Sequence, residues 1–222
     1  MMRDNIIKEY TIENITLLLL FLEEISGAEF EEMYALCSRE RREKADRIKP
    51  GIKGKQSRGA GYLLSVLKKR FSIEEEPVIS SKGKPVFKKN TAVQFSISHS
   101  RDTVLLAFGD KPLGADIEDV KKANLKLAAR FFTKEEYIRI SEQEEEKQSD
   151  AFCRIWTGKE AVAKAAGDGL SLVFEQFSVL EKTAEVSGKK YELYQRKLEN
   201  KGQNLWISAA QLITDSAGYY PI

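Results

Sequence analysis

Leu113-Gly114-Ala115-Asp116-Ile117-Glu118 reads as a strand with two unlike faces. Side chains alternate across a strand. Leu113, Ala115 and Ile117 therefore face a core, and Gly114, Asp116 and Glu118 face the other way. Asp116 and Glu118 then sit about 6.6 Å apart along the strand, two rises of about 3.3 Å. Two carboxylates on one face repel unless a cation lies between them. Hard oxygen ligands favour Mg²⁺ over zinc or copper. The same pattern also describes an exposed strand end with two solvated acids.

The surrounding chain sets this strand in its fold. Pro77 to Ser80, Pro85 to Lys88, Ala92 to Ser98 and Thr103 to Phe108 are short, β-rich and separated by turn residues. Upstream, Ile15 to Leu22 is a buried strand or a helix turn, which periodicity alone does not decide. Helical spacing predicts a helix from about Glu29 to Ile48, broken by Pro50 and Gly51. A second runs from about Gln56 to Phe71, with Tyr62, Leu63, Val66, Leu67 and Phe71 on one side. Downstream, Asn124 caps a helix over Leu125 to Phe132. Thr133 caps the next, with Glu136 three residues on as a capping box. A longer helix covers about Asp150 to Ala166 and stops at Gly167. Strands resume at Phe177 to Leu180, Tyr191 to Tyr194 and Leu205 to Leu212. The order helices, strands, helix, strands predicts an α+β fold of two similar halves packed side by side.

Composition narrows the class. Of 222 residues, 42% are hydrophobic and 32% charged, with a net charge of +2. Such a chain buries a sizeable core and carries no overall field that selects a nucleic acid or a membrane. The longest apolar stretch, Ile15 to Leu22, is too short to span a bilayer. The N-terminus alternates charged and apolar residues and does not read as a signal peptide. Cys37 and Cys153, without a CxxC, argue against a disulfide scaffold and a zinc site. A cytoplasmic protein is expected.

Three further constellations can carry chemistry. In the helix near residue 160, Trp156, Glu160 and Lys164 are spaced i, i+4, i+8 and share one side. Much of that helix is apolar, so Glu160 needs a partner there, Lys164 or a metal. Gly158 costs this helix about 1 kcal/mol against Ala, which suggests that something comes close. Phe95-Ser96-Ile97-Ser98-His99-Ser100 holds the chain's one histidine. Alternation puts Phe95 and Ile97 inward and the serines outward, with His99 at the strand's end. Serine and histidine there are good donors to phosphate oxygens, or His99 is a hydrogen-bonded structural residue. Residues 39–70 carry twelve Lys/Arg against three acids, which makes a solvated helix face or a phosphate-binding surface.

Taken in order, Gly83-Lys84-Pro85, Phe95 to Ser100, Gly114 to Glu118, Phe131 to Tyr137, Trp156 to Ala161 with Lys164, and Gly167-Asp-Gly-Leu170 resemble the 4′-phosphopantetheinyl transferases, most of all the longer, Sfp-like class. That resemblance implies two pseudo-symmetric α/β halves. Residues 1–110 form the half that binds coenzyme A; residues 111–222 bring the metal site and the carrier-protein contact. It implies transfer of 4′-phosphopantetheine from coenzyme A to a serine of an apo acyl or peptidyl carrier protein, with release of adenosine 3′,5′-bisphosphate. Asp116, Glu118 and Glu160 are assigned to Mg²⁺, for which Mn²⁺ substitutes. Glu160 becomes the base for the carrier serine, directly or through water, and Lys164 the lysine that helps the leaving group. Ser98 and His99 match residues near the coenzyme A phosphates, His99 also counting among the catalytic set. Gly83, Lys84 and Pro85 match the segment beside the adenine, and Arg41, Lys44 and Arg58 match basic residues around the 3′-phosphate. Ser96 stands where the family usually has Asn. The expected partners are the carrier protein and coenzyme A, with no nucleic acid and no membrane, and the expected state is a monomer. Leu172, Val173, Phe174 and Phe177 form the carrier's landing surface or plain core. The alternatives are an inactive module that only holds a carrier or coenzyme A, and a nucleic-acid-binding protein using residues 39–70.

Overall fold

The computed structural model describes residues 6–167 and 174–213. Two four-stranded antiparallel sheets lie between two groups of helices, and the pattern of each strand shows why. β1 (Ile7–Ile12) and β2 (Ile15–Phe21) form a hairpin. The ambiguous run Ile15 to Leu22 is thus mostly strand. It lacks alternation because both of its faces are buried. Leu18 and Leu20 face helices, while Leu17, Leu19 and Phe21 face the second sheet.

Where one helix is expected over 29–48, there are two. α1 (Gly27–Leu36) starts at a capping box of Ser26 and Glu29, and α2 (Arg39–Asp46) starts at Ser38. Cys37 and Ser38 are extended, and the Ser38 hydroxyl takes the Arg41 N–H, which restarts the helix. α3 (Ile52–Arg70) follows Pro50 and Gly51 and buries Tyr62, Leu63, Leu64 and Leu67. Phe71, expected on that buried side, is 43% exposed beyond the helix end.

β3 (Val78–Ile79) and β4 (Pro85–Val86) make a small ladder of their own. β5 (Gln94–Ser100) and β6 (Thr103–Gly109) complete the first sheet, in the order β1-β2-β6-β5. β7 (Leu113–Asp119) begins the second. α4 (Leu125–Phe131), α5 (Lys134–Ser141) and α6 (Glu145–Ala166) precede β8 (Thr183–Val186), β9 (Lys189–Asn200) and β10 (Gln203–Leu212), and the second sheet runs β7-β10-β9-β8. Asn124 caps α4, Thr133 and Glu136 form the capping box of α5, and Gly167 ends α6 at φ 76°. The expected strand at 177–180 is absent. A 3₁₀ turn at Phe174–Gln176 leads into irregular chain there.

Three apolar layers hold the assembly. Leu20, Leu63 and Leu106 join α3 to the first sheet. Leu19, Leu105, Ala115 and Ile207 join the sheets to each other. Val162, Tyr191 and Ala210 join α6 to the second sheet. Among the described residues, no helix is long and apolar enough to cross a membrane.

The edge strands β5 and β7 run alongside each other without a backbone ladder. An unpaired strand edge needs other partners, and serine hydroxyls supply them. Ser96 Oγ takes the Ala115 N–H at 3.0 Å, Ser98 Oγ reaches Asp116 at 2.6 Å, and Ser100 Oγ reaches Glu118 at 2.7 Å. The three serines do face away from the helix-side core, but they are buried in this seam rather than exposed.

Candidate active site

At the seam, alternation in β7 holds as read. Leu113, Ala115 and Ile117 are fully buried between the sheets, and Gly114, Asp116 and Glu118 turn toward α6. Gly114 sets how close the helix comes. A Cβ there would overlap the backbone of Ala161, Lys164 and Ala165, so α6 rests directly on β7. Gly158 does mark a close approach, though to the Gln195 side chain and Val179.

The contact of α6 with β7 brings Lys164 onto Asp116. The Lys164 Nζ lies 2.7 Å from Asp116 Oδ1, 3.2 Å from Ser98 Oγ and 3.3 Å from the Ala115 carbonyl. Asp116 is 5% exposed, and its Oδ2 is buried without a hydrogen-bond partner. Burial is the main cause raising the Glu118 carboxyl pKa; the Ser100 hydrogen bond opposes it, and the charge of Asp116 raises it again. Glu160 is raised as well, first by burial, then by Asp116, with Lys164 opposing and Glu118 adding a little. Asp116 therefore acts on Glu118 along the strand and on Glu160 across the strand–helix contact.

Among the described residues, no three His, Cys, Asp or Glu side chains stand ready-made as a metal cage; at Asp116 the cation in contact is the Lys164 ammonium. The donor set nonetheless fits a hard divalent ion. It offers three carboxyls, with the charge of Asp116 raising the proton affinity of both glutamates, and one buried oxygen with nothing bonded to it.

The other expected residues are spread more widely. His99 alternates with Ser98 and Ser100, so it lies on the opposite face of β5 and is exposed. Lys84 spans the halves. Its Nζ donates to the Leu113 carbonyl at 2.6 Å, and burial pushes its pKa down to about 8. Its turn is made by Gly83 at φ +85°, next to Pro85 in β4.

Arg41, Lys44 and Arg58 are not brought into one hollow. Arg41 lines a hollow of about 270 Å³ with Ser38, Lys68 and Glu76, and burial lowers its pKa. Arg58 lines a different one of about 460 Å³, its guanidinium 4.7 Å from the Tyr34 ring. Lys44 is exposed on α2. Phe174 and Phe177 are each 5% exposed and belong to the second-half core. Leu172, Val173 and Asp168 to Leu170 lie outside the described residues.

Two features escape a reading of the sequence. Ser100 grips Glu118 from the other half; its serine neighbours gave a faint signal. Glu136 is more than a cap. Its carboxylate takes the N–H groups of Thr133 and Val179, each at 2.8 Å, and lies 2.7 Å from Lys159 Nζ, with both side chains 0% exposed. Lys159 also donates to the carbonyls of Phe174 and Phe177. The capping box already accounted for Glu136, so nothing in the sequence flagged this pair beside Glu160.

The chain has relatives among known proteins. Residues 112–210 match the 4′-phosphopantetheinyl transferase superfamily. The 4′-phosphopantetheinyl transferase Sfp of Bacillus subtilis (strain 168) is 33% identical over 159 residues, 70% of this chain and 71% of that protein. The 4′-phosphopantetheinyl transferase psf-1 of Bacillus pumilus is 31% identical over 154 residues, 68% of this chain and 66% of its own. The 4′-phosphopantetheinyl transferase AcpT of Salmonella typhi is 34% identical over 131 residues, 58% of this chain and 67% of its own.

Proposed function

The chain belongs to the 4′-phosphopantetheinyl transferase superfamily, and from that premise we propose that it transfers 4′-phosphopantetheine from coenzyme A to a serine of an apo acyl or peptidyl carrier protein. The observation that carries this reading is the meeting of Asp116, Glu118, Glu160 and Lys164 where α6 rests on β7. Residues 1–110 supply most of the coenzyme A contacts, and residues 111–222 supply the carboxyls and the carrier contact.

In the reaction, the serine oxygen bonds to the phosphorus that carries pantetheine. The bond from that phosphorus to the bridging pyrophosphate oxygen breaks, and adenosine 3′,5′-bisphosphate leaves with the electron pair. A serine hydroxyl is a weak nucleophile until a base takes its proton. Glu160 is that base, directly or through water, and burial raises its proton affinity toward the task. Lys164, only 2.7 Å from Asp116 Oδ1 and partly exposed, turns its ammonium to the leaving phosphate. Asp116, Glu118 and Glu160 would hold Mg²⁺ or Mn²⁺, whose chemistry is to neutralise pyrophosphate charge. Ser98, beside Asp116 and Lys164, and Lys84, bonded to Leu113, stand on the first half's side of the phosphates and the adenine, while His99 lies on the opposite, exposed face of β5. Positioning and charge supply most of the acceleration in such phosphoryl transfers.

Coenzyme A is a polyanion, and since Arg41 and Arg58 line separate hollows, its 3′-phosphate is assigned to the one lined by Arg58 and by Ala45 and Asp46 of α2, with Lys44 on that same helix. Because ligand binds the folded chain, coenzyme A raises the melting temperature; at 100 times its Kd the stabilisation is about 2.7 kcal/mol. Dephospho-coenzyme A is expected to give a smaller shift, and Lys44→Ala with Arg58→Ala to shrink the coenzyme A shift by a similar amount. Equal shifts from the two ligands would remove the basic segment from the 3′-phosphate site.

A further inference from the structure

We propose that Ser100 is a positioning residue for Glu118, and Ser98 for Asp116, so that hydroxyls of the first half aim the cation-holding carboxyls of the second. The proposal rests on the reading of Asp116, Glu118 and Glu160 as cation ligands.

The Ser100 hydroxyl is 5% exposed and satisfied on both sides. It takes the Asp119 N–H at 3.1 Å, and its own proton goes to Glu118 Oε2 at 2.7 Å. Asp119 is held in turn by Arg101 at 3.0 Å. The Glu118 side chain is thereby fixed through one oxygen. Ser98 repeats the arrangement one step back. Its oxygen accepts a hydrogen bond from Lys164 Nζ at 3.2 Å and its O–H donates to Asp116 Oδ1 at 2.6 Å, while Asp116 Oδ2 stays buried without a partner. In both pairs a hydroxyl holds one carboxyl oxygen and so sets where the other points. Losing a group that orients a ligand in this way typically costs about 10- to 100-fold in metal affinity.

Ser96 provides the internal comparison. It sits on the same face of β5 but bonds only the backbone of Ala115, at 3.0 Å to its N–H and 3.4 Å to its carbonyl. It braces the seam and touches no carboxyl.

The test is Mn²⁺ binding to the full chain without coenzyme A, read by electron paramagnetic resonance or calorimetry, with melting temperatures alongside. Ser100→Ala is expected to weaken Mn²⁺ binding about 10- to 100-fold, Ser100→Thr to restore most of it, and Ser96→Ala to lower the melting temperature with Mn²⁺ affinity within about twofold of wild type. Should Ser100→Ala fail to fold, Ser98→Ala carries the test with the same expectation. A folded Ser100→Ala that binds Mn²⁺ as wild type does overturns the proposal while leaving the cation site intact. Wild-type protein that binds no Mn²⁺ overturns the cation reading itself, and this proposal with it.

Discussion

Asp116→Asn should cost the protein roughly a thousandfold in turnover while leaving it folded and no less stable. A cation site contributes several kcal/mol at the transition state, and about 4 kcal/mol corresponds to about 10³ in rate. Asn keeps an oxygen for the Ser98 hydroxyl, so the hydrogen bond at 2.6 Å survives. Lys164 loses its charged partner but keeps the Ser98 hydroxyl and the Ala115 carbonyl, and at 29% exposure it reaches water. The stability side follows from the neighbouring carboxyls. Glu118 and Glu160 have raised pKa values in the folded state, so the folded chain keeps protons that the unfolded chain has released. Stability therefore falls as pH rises from the ordinary carboxylate range to their raised values, and the loss is complete above that window. Asp116 contributes to both shifts, so its neutralisation flattens this fall. Steady-state transfer rates and melting curves across that pH window check both halves of the expectation. A variant with near wild-type turnover would remove Asp116 from the reaction.

Lys159→Met is expected to lower unfolding free energy by about 3–5 kcal/mol, the usual cost of stripping one partner from a buried ion pair. Lys159 and Glu136 are both fully buried, and the ammonium also serves the carbonyls of Phe174 and Phe177. Its removal leaves a buried carboxylate and two carbonyls short of a donor. Against a typical margin of about 5–15 kcal/mol, that is a fifth or more of the total. Urea unfolding measures it directly, and a loss below about 1 kcal/mol would show that the pair relaxes into solvent contact. Because Lys159 precedes Glu160, the same variant is expected to lose turnover through disorder at the helix.

What is legible in the sequence depends on what each residue type signals by itself. Alternation in Leu113 to Glu118 gave β7 and both of its faces. Helical spacing put Glu160 and Lys164 on one side of α6, and Asn124, Thr133 and Gly167 marked helix ends correctly. Local signals failed where the deciding contact is distant. β2 lost its alternation because it is covered by helices on one face and by a sheet on the other. The Ser38 restart between α1 and α2 lay inside a run that kept helical spacing. Phe177 to Leu180 looked like a strand because it is largely apolar, yet it is irregular chain, with Phe177 and Val179 buried and the Phe177 carbonyl bonded to Lys159. The serines of β5 read as a solvent face, since nothing nearby in sequence announces that β7 covers them. Arg41 and Arg58 looked like parts of one patch because charge counts carry no direction; their hollows lie at different turns of α3, one lined by Gly54, Lys55 and Arg58 and the other by Gly61, Leu64 and Lys68.

The most direct test of the central claim is the intact mass of apo carrier proteins, acyl and peptidyl, after incubation with this protein, coenzyme A and Mg²⁺. The account predicts a gain of one phosphopantetheine group on the carrier's serine, abolished by EDTA and by Glu160→Gln. Unchanged carrier mass in every case, from protein that binds coenzyme A and Mn²⁺ normally, would contradict it.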